Sequence, residues 1–304
     1  SYKRHILAFS NFVEEVHMET HMKNAGILSM RTITGLTGAL DGNDAAVELI
    51  KLNADGFVND IKVKELEFRE LGTGIHGKAS CRITGLPDIT KTRFNGKINN
   101  IRLTAAQLGT FIGYWAPAAN LDFSKFAKGT TLSVNGTMEG LLSDLNINAR
   151  IQTHADGDIE AKARLKGISV PGRDIEIKGD ITANELNLGT ILGTDALGKV
   201  TLSTSAEGTL SNPPGLYIDS LRIASVEALG RTISGIMLQG RYQDGLVYAQ
   251  LDSNDPNLDF GITVDGSTAP DFSSAGLQVH GDIQRADLHA LGIDTRGEVS
   301  RASA

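Results

Sequence analysis

The sequence predicts an all-β protein: an extended antiparallel sheet with one aliphatic face, built from imperfectly repeated modules behind a short N-terminal helix. Three observations carry this. From about Gly26 onward, apolar and polar residues alternate with a period of two. Turn signals such as Asp156-Gly157, Pro171-Gly172 and Asp244-Gly245 separate the alternating runs. No second long helix follows, and parallel α/β sheets need crossover helices and strands apolar on both faces.

The first 25 residues read as the helical segment, with Ile6, Phe9, Val13 and Val16 at three- and four-residue spacing and Glu14 and Glu15 on the other side. Residues 26–304 read as one continuous β array. Leu145, Ile147, Ala149 and Ile151 alternate with Asn146, Asn148, Arg150 and Gln152. After Asp156-Gly157, the residues Ile159, Ala161, Ala163 and Leu165 do the same against charged neighbours. Asp-Gly tolerates the positive φ of a tight hairpin turn, so this pair is a hairpin. Ile175, Ile177, Gly179 and Ile181 follow, then Val200, Leu202 and Ala206, then Ile236, Leu238 and Tyr242. Val247, Ala249 and Leu251 and finally Phe260, Ile262 and Val264 complete the pattern. At one strand per roughly 11 residues the array holds about 25 strands, extending on the order of 120 Å at ~4.8 Å per strand.

A larger frame, apolar-x-Gly-x-Ile followed by an apolar turn ending in Leu-Gly, recurs near residues 94–113, 177–193 and 279–293, centred on Gly96, Gly179 and Gly281. The spacings differ, but the content is too similar for coincidence. In the second copy the frame is read as ending at Leu188-Gly189. After each copy a strand restarts on glycine, at Gly129, Gly198 and Gly297, and the last restart meets the end of the chain, as expected for a fragment of something longer.

Composition narrows function. Gly supplies 34 of 304 residues and aromatics only 5%, so the apolar stock is aliphatic and turns are many. The net charge of −7 gives nucleic-acid backbones no attraction. No apolar stretch approaches the ~20 residues that span a bilayer, and the N-terminus does not read as a signal peptide. Cys81 is the only cysteine, so no internal disulfide forms.

Chemical motifs are weak. Gly72-Thr73-Gly74-Ile75-His76-Gly77 matches G-x-G-x-x-G, but strand-like residues follow it where a dinucleotide site needs a helix, so it reads as a turn or bulge. His17 and His21, four apart beside Glu14, lack a third zinc ligand. Asp41-Gly42-Asn43-Asp44, Asp156-Gly157-Asp158 and Asp252-Ser253-Asn254-Asp255 do not fit the spaced calcium loop. No nucleophile elbow is present and nothing marks Cys81 as activated, so the chain reads as non-enzymatic, with no cofactor or metal. The sequon at Asn135-Gly136-Thr137 carries little weight, and Trp115 alone cannot supply an aromatic platform for polysaccharide.

The run Ile83-Thr84-Gly85-Leu86-Pro87-Asp88-Ile89-Thr90-Lys91-Thr92, with Gly96-Lys97-Ile98 and Leu103-Thr104-Ala105-Ala106-Gln107-Leu108, resembles segments of the TamB-like branch of the AsmA-like superfamily, in its Bacteroidetes form. So does Leu251-Asp252-Ser253-Asn254-Asp255-Pro256-Asn257-Leu258-Asp259-Phe260, running on to Asp287-Leu288-His289-Ala290-Leu291-Gly292. The resemblance covers roughly residues 27 to 304 and rests on order and recurrence. It implies a curled β-taco, an open half-barrel trough whose apolar groove carries phospholipids between inner and outer membranes. It also implies a periplasmic location, an inner-membrane anchor and an Omp85-type barrel as partner, with anchor and barrel-interacting parts outside this sequence.

Acyl chains would then meet the lining formed by Leu145, Ile147, Ile151, Ile159, Ala161, Leu165, Ile175, Ile177, Ile181, Val200, Leu202, Ile236, Leu238, Val247, Leu251, Phe260, Ile262 and Val264. An aliphatic face must be covered, since leaving it wet costs about 25 cal/mol per Å². Two covers satisfy this: lipid tails in a groove, or a second sheet in the closed β-sandwich modules of a scaffold or adhesin. A factor for outer-membrane protein assembly is a further alternative.

Overall fold

The computed structural model describes residues 13–29, 46–88, 90–104, 106–108, 110, 130–141, 143–153, 157–167, 174–210, 215–269, 274–293 and 301–302. The protein is all-β. The first eight strands are β1 (Met18–Ser29), β2 (Ala46–Phe57), β3 (Asp60–Glu70), β4 (His76–Thr84), β5 (Arg93–Thr104), β6 (Thr131–Leu141), β7 (Asp144–Thr153) and β8 (Asp158–Lys166). The rest are β9 (Ile175–Asn187), β10 (Leu197–Leu210), β11 (Gly215–Ala228), β12 (Arg231–Gln243), β13 (Leu246–Asp255), β14 (Leu258–Thr268), β15 (Ala275–Asp287) and β16 (Arg301–Ala302). They form one sheet in sequence order from β1 to β16, an antiparallel meander not closed into a barrel. Contacts divide the chain into two units: residues 1–117, 131–150 and 164–175, and residues 118–130, 151–163 and 176–304.

Among the described residues there are sixteen strands, where about 25 are expected. Turn signals are sparser than one per 11 residues because the strands run long; β10 and β11 span 14 residues each. The helical segment also ends earlier than residue 25. Residues 13–15 are helical, but β1 starts at Met18 and pairs with β2 from Met18↔Gly56 to Ser29↔Ala46. The alternation Met18, Thr20, Met22 and the partner strand override the helical spacing. His17 and His21 therefore do not share a helix face: His17 meets Asp55 at 3.0 Å and His21 lies 3.9 Å from Glu19.

Two of the sequence-predicted turns close as the chemistry requires. Asp244 and Gly245 take φ of 52° and 77° and join β12 to β13 with Gln243 opposite Leu246. The G-x-G-x-x-G run forms the β3–β4 turn and the start of β4; the Glu70 carboxylate accepts from the Gly72 and Thr73 amides at 2.8 and 2.5 Å and from the Thr73 hydroxyl. Ile6 and Phe9, Asp41-Gly42-Asn43-Asp44, Trp115, Gly129, Asp156, Pro171-Gly172 and Gly297 lie outside the described residues.

The three repeat frames share one local structure: a strand that ends in a capped turn. Thr104 closes β5, and its Oγ1 accepts from the Gln107 amide at 3.2 Å while its own amide donates to Gln107 Oε1 at 2.7 Å, a reciprocal capping box. Asn187 closes β9 and caps the short helix α1 (Leu188–Leu192), accepting from Thr190 at 3.0 Å. Asp287 closes β15 and accepts from Ala290 at 2.9 Å. The counterpart of Leu291-Gly292 in the second copy is thus Leu192-Gly193, where Gly193 ends α1 at φ 65°, and not Leu188-Gly189, which opens the helix. The unequal spacing has a topological cause. Four strand steps separate β5 from β9, whereas six separate β9 from β15, so the longer interval contains an additional hairpin.

Candidate functional site

Strand pairing turns the alternating pattern into rows of apolar side chains running across the sheet. In the second unit, one row passes through Leu202, Ile223, Ile236, Ser253, Phe260 and Ile283. The next runs through Thr204, Leu221, Leu238, Leu251, Ile262 and Gly281, and a third through Ala206, Ile218, Gly240, Ala249, Val264 and Val279. In the first unit, Thr20, Ala54, Val63, Cys81, Gly96 and Met138 align, beside Met22, Leu52, Leu66, Ala79, Ile98 and Gly136. The opposite face carries the charged residues at alternate positions.

Burial along these rows is uneven. Around the capped turn of the second unit, Ala183, Leu186, Ile191 and Val200 form a closed cluster with Leu202, Ile223 and Val226 packed on it. Elsewhere the rows are mostly half-buried, with Val63 and Ser253 buried, and toward β15 they open: Val279 is 64% exposed, Leu277 47% and Ile283 41%. All sixteen strands belong to one hydrogen-bonded order.

Of the sequence-predicted lining residues, Leu202, Ile236, Leu238, Leu251, Phe260, Ile262 and Val264 lie in these rows. Leu145 and Val200 are buried and Ile181 is exposed. Ile147, Ile151, Ile159, Ala161, Leu165, Ile175, Ile177, Leu202, Ile236, Leu238, Val247, Leu251, Phe260, Ile262 and Val264 are all half-buried. Missed were Leu52, Val63, Leu66, Ile83, Ile98 and Met138 in the first unit and Ile218, Leu221 and Ile223 in the second. Most of these flank β-bulges, where the step along the strand is three residues and not two: the register shifts between Val63 and Leu66, between Ile98 and Ile101, and between Ile218 and Leu221. Asn100, at φ 50°, is the bulged residue of β5.

Two features mark the side chains of this face. Side chains on it are aliphatic and small, with glycine recurring in the rows. Where glycine sits, the neighbouring backbone closes in: a Cβ on Gly136 would lie 2.5 Å from the Asn148 carbonyl oxygen, and one on Gly179 2.6 Å from that of Lys162. Cys81 lies on the same face, where burial raises its thiol pKa and keeps it protonated. No group of three His, Cys, Asp or Glu suited to a metal occurs among the described residues. Comparison of the chain with protein-family models, curated proteins and solved structures gave no significant match.

Proposed function

We propose that the apolar face is a groove for phospholipid acyl chains, and that the chain is a segment of an envelope protein that conducts phospholipids between inner and outer membranes. The observation that carries this is the exposure of the aliphatic rows toward β15, where Leu277, Val279 and Ile283 stand open. Wet aliphatic area is costly in proportion to its extent, and fluid acyl chains cover such a face without shape-specific pockets. The exposed aliphatics of β15 favour this cover over closed β-sandwich modules, whose inner faces are packed. The TamB-like resemblance adds the setting: a β-taco trough in the periplasm, held by an inner-membrane anchor and meeting an Omp85-type barrel.

The test is direct. Organic extracts of the purified protein should contain phospholipid by mass spectrometry. Photo-crosslinkers at Ile177 and Leu202, on the apolar face, should capture lipid, and those at Glu176 and Ser203, which are exposed on the other face, should not. Equal labelling of both faces, or none, overturns the groove.

A further inference from the structure

The polar face of the first unit carries a second candidate site. An open groove of about 990 Å³ lies over β3, β4 and β5, lined by their polar side chains and by Val63, Cys81 and Gly96 of the apolar row. Its walls hold four cations, Lys62, Lys64, Arg82 and Lys97, and two carboxylates, Asp55 and Asp60. Both carboxylates are engaged. Asp60 accepts two hydrogen bonds from Arg82, at 2.7 and 2.6 Å, and Asp55 pairs with Lys64 at 3.4 Å and with His17 at 3.0 Å. Among the described residues, Lys62 and Lys97 have no ion-pair partner.

Lys62 stands directly opposite Arg82 across the β3–β4 ladder, an arrangement of like charges that destabilises a sheet. Lys97 lies between Ser80 and Thr137 in register, and Asn95 lies opposite Arg82. Two ammonium groups without an ion pair, on β3 and β5, therefore line one groove beside the Ser80, Asn95 and Thr137 side chains, with Asp55 opposite Lys62 on β2. The chain as a whole is acidic, at −7, so this concentration of positive charge runs against its composition.

The corresponding surface of the next repeat copy serves as an internal control. Asp60 and Arg82 recur there as Asp144 and Arg164, with the same two-pronged bond at 2.6 and 2.6 Å. The groove cations do not recur: Lys62 and Lys64 correspond to Asn146 and Asn148, and Lys97 to Asp180. The ion pair is thus part of the repeating framework, whereas the lysines are placed differently: Ser80 and Thr84 of this copy correspond to Lys162 and Lys166.

We infer that Lys62 and Lys97 form an anion site for a phosphorylated ligand, with Ser80, Asn95 and Thr137 as hydrogen-bond donors. Lysine binds phosphate as a point charge, and three or four phosphate oxygens match the donors present. The groove exceeds a bare phosphate, so the ligand is a phosphorylated molecule. This reading does not depend on the apolar groove, because the proposed donors stand at the alternate, polar positions of their strands.

The test uses the full chain, K62Q/K97Q, and K162Q/K166Q as a variant with the same change in charge. At low ionic strength, calorimetric titration with inorganic phosphate and with glycerol phosphate should show binding that K62Q/K97Q weakens at least ~tenfold and K162Q/K166Q less than ~twofold. Amide shifts at Ser80, Asn95 and Thr137 should follow the same order. Co-sedimentation with phosphatidylcholine vesicles, with and without phosphatidylglycerol, identifies the source. Vesicle binding that depends on phosphatidylglycerol and on Lys62 and Lys97 assigns the phosphate to a lipid headgroup; titration of the soluble phosphates alone assigns it to a soluble ligand. Equal weakening by both double variants, or no binding of any probe, overturns the site.

Discussion

The copy of the repeat that runs through β3, β4 and β5 and the one through β7, β8 and β9 agree in their framework and differ in their polar decoration. Gly56 and Gly140 hold φ of 133° and 132° just before a turn, each with the carbonyl of the following Asp60 or Asp144 packed where a Cβ would stand. Gly85 and Gly167 donate back across that turn, to Asn59 at 2.9 Å and Ser143 at 3.1 Å. On the apolar face Val63, Cys81, Phe94 and Ile98 correspond to Ile147, Ala163, Ile177 and Ile181. On the polar face lysines correspond to asparagines and an aspartate. The positions that repeat are those that bend the strands, tie the turns and keep one face aliphatic; the positions free to change are where a copy can acquire a ligand of its own.

The sharpest break in this likeness lies at the central glycines. Gly179 is pressed against the Lys162 carbonyl, whereas a Cβ on Gly96 would meet the Cys81 side chain at 3.3 Å and backbone no nearer than 3.5 Å. Gly179→Ala should therefore cost about 2 kcal/mol through displaced backbone. Gly96→Ala should stay within about 0.5 kcal/mol of the parent, since alanine offsets the crowding by restricting the unfolded chain. Urea unfolding of both variants checks this, and equal losses would mean that the two copies are equally crowded. The caps come next. Thr104→Ala and Asn187→Ala should each lose about 1 kcal/mol, and Gln107→Ala should lose part of the Thr104 value because only that copy closes a capping box.

The same contrast explains what the sequence made legible. β7 and β8 alternate without interruption in burial, Leu145 to Thr153 and Ile159 to Lys166, and their lining residues can be read directly. In β3, β5 and β11 a bulge inserts one residue and moves the next apolar side chain back to the same face three positions on, so a strict period of two discards Leu66, Ile101 and Leu221. An asparagine within a strand, as at Asn100, is the available signal for such a step, because Asn tolerates positive φ. The polar groove left no local trace. Lys62, Arg82 and Lys97 are spread over 35 residues of sequence, and only the pairing of three strands brings them together.

The smallest expected difference concerns the two ion pairs, and it bears most directly on the proposed anion site. Arg82 beside Asp60 and Arg164 beside Asp144 hold both carboxyls below the ordinary aspartate range through their hydrogen bonds. A carboxyl depressed on folding contributes stability that is present above its unfolded pKa, about 4, and is lost as pH falls through the lower folded value. Both pairs are exposed, so each contribution is small and adds only to the acid limb of the stability curve. At neutral pH the variants should separate. Asp60→Asn leaves Arg82 directly facing Lys62, which Asp55 opposes from β2, whereas in the second copy the position that corresponds to Lys62 is the uncharged Asn146. Asp60→Asn should therefore lower the urea midpoint more than Asp144→Asn, and the gap should close as salt is raised. A bound phosphate in the groove should close it too, since the ligand supplies the anion that the variant lacks; a gap unmoved by salt or phosphate would mean that the two copies differ there for reasons other than charge.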